Sequence, residues 1–208
     1  RRQGLRVFVD LTSGINLYPD LRLVNSSEQD FAASMAAITD VIAKMPALGS
    51  RDLILCLHRV PENNISGEQT YESFVETLRN VCSQAAAVNV TVYIRTSVKA
   101  VSSVDDAIGI VDRVAAPNVM LAPSTALLLH HNADANAVTA RAGGKVGLWL
   151  LSAPGYDIAG ALWTTNKPLA SHDARDRLLQ YCAIAPDVPI LFDAVYDNQD
   201  DEYLDARL

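Results

Sequence analysis

"RVFVDLTSGINLYPDLRLV", residues 6–24, carries the pattern that decides the fold. An apolar run ends on Asp10, a polar loop follows, and a second apolar stretch resumes beyond it. Short runs rich in Val, Ile and Leu and bounded by turn residues are strand signals. Six recur along the chain: Leu5 to Asp10, Leu53 to His58, Val90 to Arg95, Val119 to Ala122, Val146 to Leu151, and Pro189 to Asp193. They are mostly continuous apolar runs, as expected of parallel strands covered on their outer face by helices.

The segments between them repeat apolar side chains every three or four positions, which is helical spacing. "NSSEQDFAASMAAITDVIAKM" opens on Ser27 as an N-cap with acidic residues in the first turn. "GEQTYESFVETLRNVCSQAAA" carries Phe74, Leu78, Val81 and Cys82 on one stripe, and "SSVDDAIGIVDRVAAPN" stops at Pro117. "SAPGYDIAGALWTTNKPLAS" is punctuated by Gly and Pro and reads as a long loop, a type that is often functional. The helix "HDARDRLLQYCAIA" follows, and "YDNQDDEYLDARL" begins an acidic helix. No strand is followed by a G-x-G-x-x-G turn, which counts against a dinucleotide-binding sheet. Six β/α units in succession predict an α/β fold of the TIM-barrel type, in one domain spanning residues 1–208.

Composition narrows the partners. With 208 residues, 50% of them hydrophobic, the chain can bury one sizeable core. The balance of 17 Lys and Arg against 24 Asp and Glu, net −7, argues against a nucleic-acid partner. No apolar run approaches the roughly 20 residues that span a bilayer, and no signal region opens the chain, so a cytoplasmic protein is expected. The start "RRQGL", without an initiator methionine, suggests a piece of something longer with further domains as partners. Cys56, Cys82 and Cys182 lack C-x-x-C spacing and sit in apolar segments, so buried thiols are expected.

Several stretches echo one family. "KMPALGSRDLILCLH" resembles a helix end, small-residue turn and strand closing on histidine in the xylose isomerase-like TIM-barrel superfamily, which includes sugar isomerases, sugar epimerases and endonuclease IV-type nucleases. "AAAVNVTVYIRT", "VAAPNVMLAPST" and "DVPILFDA" are similar to its following segments. "VDLTSGINL", Val9 to Leu17, fits the family's V-H-x-x-x-x-I-N-L stretch with Asp10 in the histidine slot. The resemblance implies that the chain covers the third to eighth β/α units. Eight strands close such a barrel, so either two strands lie on sequence outside these residues or the barrel is incomplete or reduced.

The resemblance also implies the fate of the metal site. Asp10 and Asp193 stand where the family has a histidine and a glutamate, and His58 matches a histidine. Arg95 stands in a glutamate slot and cannot coordinate a metal. "LAPSTALLLHH" offers Pro123 or Ser124 where an aspartate is needed, and a further histidine slot falls near Trp149. No cofactor is expected, since a cation held by Asp10, His58 and Asp193 alone would be weak and opposed by Arg95.

Strand C-terminal ends face the active site of such barrels. That position nominates Asp10, His58, Arg95 and Asp193 as catalytic residues, and Ser124 and Ser152 as substrate contacts. Asn16, Glu62 and Trp149 join the substrate-binding candidates, Trp149 because an aromatic ring can stack on a sugar face. Arg95 either grips an anionic group or neutralises Asp10 or Asp193 in an ion pair that takes a metal's place. Adjacent His130 and His131 do not face one another on a helix and make poor ligands. The implied ligand is a carbohydrate or sugar phosphate, with isomerase or epimerase chemistry. Two alternatives stay open: a non-enzymatic binding or scaffold module, and a glycoside hydrolase pairing Glu62 with Asp193.

Overall fold

A computed structural model describes residues 6–11, 23, 27–55, 67–96, 104–156, 162–167, 175–176, 179–180 and 183–193. Parallel strands alternate with helices along most of this length. The strands and helices are β1 (Phe8–Leu11), α1 (Glu28–Lys44), β2 (Asp52–Leu55), α2 (Gly67–Ala87), β3 (Thr91–Arg95), α3 (Val104–Val114) and β4 (Val119–Ala122). Then come α4 (Thr125–His130), α5 (Ala135–Ala142), β5 (Trp149–Leu151), β6 (Ala153–Tyr156), β7 (Leu162–Lys167) and β8 (Ile190–Phe192). Strands β1 to β4 pair in sequence order, all parallel. Parallel bridges Leu121–Val146 and Ser124–Leu150 carry the order on to β5, which pairs with β8. The result is a run of six parallel strands, β1-β2-β3-β4-β5-β8, and among the described residues neither β1 nor β8 has a strand on its other side.

Both faces of the central strands β2 to β5 are covered, which is why these strands read as unbroken apolar runs, whereas Ile190 and Phe192 of β8 are exposed. Leu53, Leu55, Val92, Ile94, Leu121 and Leu151 point outward and pack with Ile38, Leu78, Val81 and Val111 of the helices. Ile54, Tyr93, Ala122, Leu148 and Leu150 point inward and pack with Phe8, Met120 and Leu191. Helix α1 starts where its predicted cap places it, with Ser27 accepting a bond from the Asp30 amide at 3.1 Å, and Asp134, a cap not predicted, accepts from the Asn136 amide at the start of α5. Cys82 sits in the outer layer, where burial pushes its thiol up to about 12 and leaves it protonated and inert. Cys56 and Cys182 lie outside the described residues, as does the predicted acidic C-terminal helix. No helix among the described residues is long and apolar enough to cross a membrane.

Two local features set what the inner face presents. Below the strands, Arg6 donates from Nε and Nη2 to both oxygens of Asp52, at 2.8 and 2.7 Å, and its guanidinium stacks over Phe8. The Tyr93 hydroxyl donates to Asp52 at 2.9 Å, which closes the N-terminal end of the interior with a satisfied polar network. Just before β5, the Leu121 carbonyl accepts from both Gly147 (3.0 Å) and Leu148 (3.3 Å). One acceptor facing two consecutive amides is a bulge, and it shifts the side-chain alternation by one residue. Val146 therefore faces outward, Leu148 inward and Trp149 outward. Glycine is required at the bulge because a Cβ there would lie 2.9 Å from Met120 Cβ and Tyr93 Cε1.

The stretch after β5, predicted as a loop, contains an antiparallel hairpin, β6 with β7, whose register is irregular around Gly155. Pro154 and Gly155 hide this strand from propensity, because both residues are depleted in sheets and tolerated mainly at bulges and edges.

Candidate functional site

The inward-facing positions at the C-terminal ends of the strands are polar where the middle of the interior is apolar. Arg95 ends β3 with its side chain 2% exposed. Its Nη1 donates to Asp10 Oδ2 at 3.2 Å, and its Nη2 donates to Asp193 Oδ2. Asp10 belongs to β1 and Asp193 directly follows β8, so one guanidinium reaches both outer strands of the six-stranded run. The Asp193 amide donates to the Leu151 carbonyl at 2.9 Å, which extends the β5–β8 pairing and fixes the carboxylate's origin. Asp193 is one-tenth exposed and Asp10 about one-third, so the cluster is sheltered on one side and open on the other.

Two carboxylates and one guanidinium leave a formal excess of one negative charge. Burial raises the Asp193 carboxyl from its ordinary range to about 6, the Asp10 charge pushes it the same way, and Arg95 opposes both without cancelling them. The folded protein therefore binds a proton more tightly than the unfolded chain. The stability this proton confers is fully present below pH ~4 and is lost as pH rises through about 6. Urea unfolding across this window should show a midpoint that falls as pH rises, and Asp193→Asn should flatten that slope.

Hydroxyls line the neighbouring strand ends. Thr96 Oγ1 accepts from the Ser124 amide at 2.8 Å. Thr125 Oγ1 donates to the Ser152 carbonyl and accepts from the Ser152 amide, at 2.9 and 3.1 Å, which ties β4 to β5 just above the interior. All four residues are buried, and Ser124 Oγ has no hydrogen-bond partner among the described residues. Thr96 and Thr125 escape a reading based on charge. Their signal is their place, one and three residues past a strand end.

Of the catalytic candidates, the structure brings Asp10, Arg95 and Asp193 together; His58 lies outside the described residues, as do Asn16 and Glu62. Ser124 and Ser152 stand at adjacent strand ends. Trp149 is placed in the outer layer, with Leu121 and Leu151, and the bulge at Gly147 is the reason. His130 and His131 close α4, and both are exposed. No group of three His, Cys, Asp or Glu side chains that could hold a metal ion occurs among the described residues.

A parallel β/α sheet with a polar cluster at its strand C-termini is the arrangement of a TIM-barrel protein. Residues 1–155 match the family model described as xylose isomerase-like TIM barrel, and the chain belongs to that family. Among solved structures it is similar to an L-ribulose 3-epimerase, with a TM-score of 0.68 and 19% identity over 98% of this chain and 66% of that one. It is also similar to the IOLI protein with a binding zinc atom, with a TM-score of 0.65 and 16% identity over 83% of this chain and 65% of that one. A third likeness is to a xylose isomerase-like TIM-barrel protein from Mycobacterium smegmatis in complex with magnesium, with a TM-score of 0.60 and 14% identity over 86% and 67%. At these identities the likeness establishes the fold, and the chain spans about two thirds of the length of these structures. No curated protein matches the chain.

Proposed function

We propose that this chain is a carbohydrate-binding TIM-barrel domain that moves a proton at Asp193, with epimerase or isomerase chemistry as the outcome. The observation that carries the reading is the sheltered Asp10–Arg95–Asp193 cluster at the strand C-termini. The sugar-epimerase neighbours support the ligand class. A carboxyl titrating near 6 is suited to act as a general base close to neutral pH. Asp193 would take the proton from the carbon beside a sugar carbonyl, and that C–H electron pair would pass into an enediolate. Arg95 would supply fixed positive charge to the enediolate oxygen; a proton delivered to the opposite face of the carbon from water would give the epimer, with Asp193 releasing its own proton to solvent. With the guanidinium already engaged by two carboxylates, neutral sugars fit the charge balance better than sugar phosphates.

The zinc and magnesium of two neighbours raise the question of a metal here. The described donors suit one poorly, because a buried guanidinium stands between the two carboxylates a metal would need.

The test is exchange of substrate C–H for solvent deuterium. A panel of neutral ketoses and their phosphates is incubated with the protein in D₂O and followed by proton NMR. We expect exchange with at least one neutral ketose, lost in Asp193→Asn. Exchange that survives in Asp193→Asn would contradict the role of this carboxylate, and no exchange with any ketose would contradict proton transfer.

A further inference from the structure

The Asp10–Arg95–Asp193 cluster has the composition of a cation site whose cation is part of the protein. Two carboxylates from opposite ends of the strand order converge on one point. Carboxylates so placed repel each other unless a positive charge lies between them. A side chain supplies that charge here. Arg95 is 2% exposed, it originates on a strand that pairs with neither carboxylate's strand, and it reaches both. A guanidinium never loses its proton under ordinary conditions and offers donors only. Its charge is therefore permanent and needs no ion from solution.

We propose that the Arg95 guanidinium is a built-in cation that holds the place of a divalent metal between Asp10 and Asp193, so that this site works without one. The inference rests on the ion-pair geometry and stands whichever small molecule the mouth binds. It also makes the site convertible. Replacing the guanidinium with a third carboxylate would leave three hard oxygen donors around one point, a set suited to Mn²⁺ or Mg²⁺.

The test combines elemental analysis of the purified protein with Mn²⁺ titration, followed by electron paramagnetic resonance and by thermal unfolding. The native protein is expected to carry no stoichiometric metal and to show neither saturable Mn²⁺ binding nor a thermal shift. Arg95→Glu should bind Mn²⁺ at least ~10-fold more tightly than the native protein and unfold at a higher temperature when it is present. Arg95→Gln, which removes the guanidinium without adding a third carboxylate, should gain binding to a smaller degree. If either variant fails to fold alone, recovery of its native circular dichroism in millimolar Mn²⁺ supports the proposal. Stoichiometric metal on the native protein, released by Asp193→Asn, would overturn it. Variants that gain neither Mn²⁺ binding nor Mn²⁺-dependent folding would overturn it equally, because the carboxylates would then not form a cation site.

Discussion

Replacing Arg95 with methionine should lower the unfolding free energy by about 3–5 kcal/mol at neutral pH, the range for removing one partner of a buried ion pair. The methionine keeps much of the volume, so the loss is electrostatic: Asp193, one-tenth exposed, and Asp10 lose the guanidinium that joins them. The pH dependence identifies the cause. Asp193 is raised to about 6 even beside Arg95, and losing the guanidinium that lowers it should raise it further, so acidification should neutralise it and recover part of the loss, which a packing defect would not allow. A triple variant, Arg95→Met with Asp10→Asn and Asp193→Asn, should stand well above the single variant, since an uncharged cluster has no repulsion to relieve. Urea unfolding of the three proteins at two pH values measures all of this.

Trp149→Ala should cost about 3–5 kcal/mol through the cavity it leaves. Trp149 is the largest fully buried side chain among the described residues, at 0% exposure, and its ring packs in the layer between sheet and helices. The size of the effect follows from its direction. A Trp149 facing the open strand ends would lose contacts to solvent and ligand, at modest cost to the fold. Facing outward, it belongs to the same buried cluster as Leu121 and Leu151, and a well-packed cluster of this kind relaxes only partly into a space of that size. A loss below about 1 kcal/mol in urea unfolding would mean that the ring is not in the core.

These two residues also mark where the sequence is legible. The six strands can be read directly from their apolar runs, which two-sided burial writes for β2 to β5, and the ends of the runs name Asp10, Arg95 and Asp193 as candidates for one shared mouth. The partner of Arg95 is harder. Its carboxylates come from positions 85 and 98 residues away, and only the strand order brings them within reach. The direction of Trp149 is not written locally at all. It depends on a bulge at Gly147, where Met120 and Tyr93 from two other strands leave no room for a Cβ. The β6–β7 hairpin was hidden for a related reason: Pro154 and Gly155 are turn residues by propensity, and the pairing overrides them. Thr96 and Thr125 carry no charge to draw attention, yet their bonds to Ser124 and Ser152 set how the strand ends meet.

The central claim, that a sugar binds where Arg95 joins Asp10 and Asp193, is tested most directly at the guanidinium itself. The measurement is the ¹⁵Nε–¹Hε resonance of Arg95, identified by its absence in Arg95→Lys, followed as a neutral ketose is added. A saturable shift of that resonance, with the same midpoint as calorimetric binding, is the result this account predicts. A ketose that binds while the Arg95 resonance stays fixed would place the ligand elsewhere and contradict it.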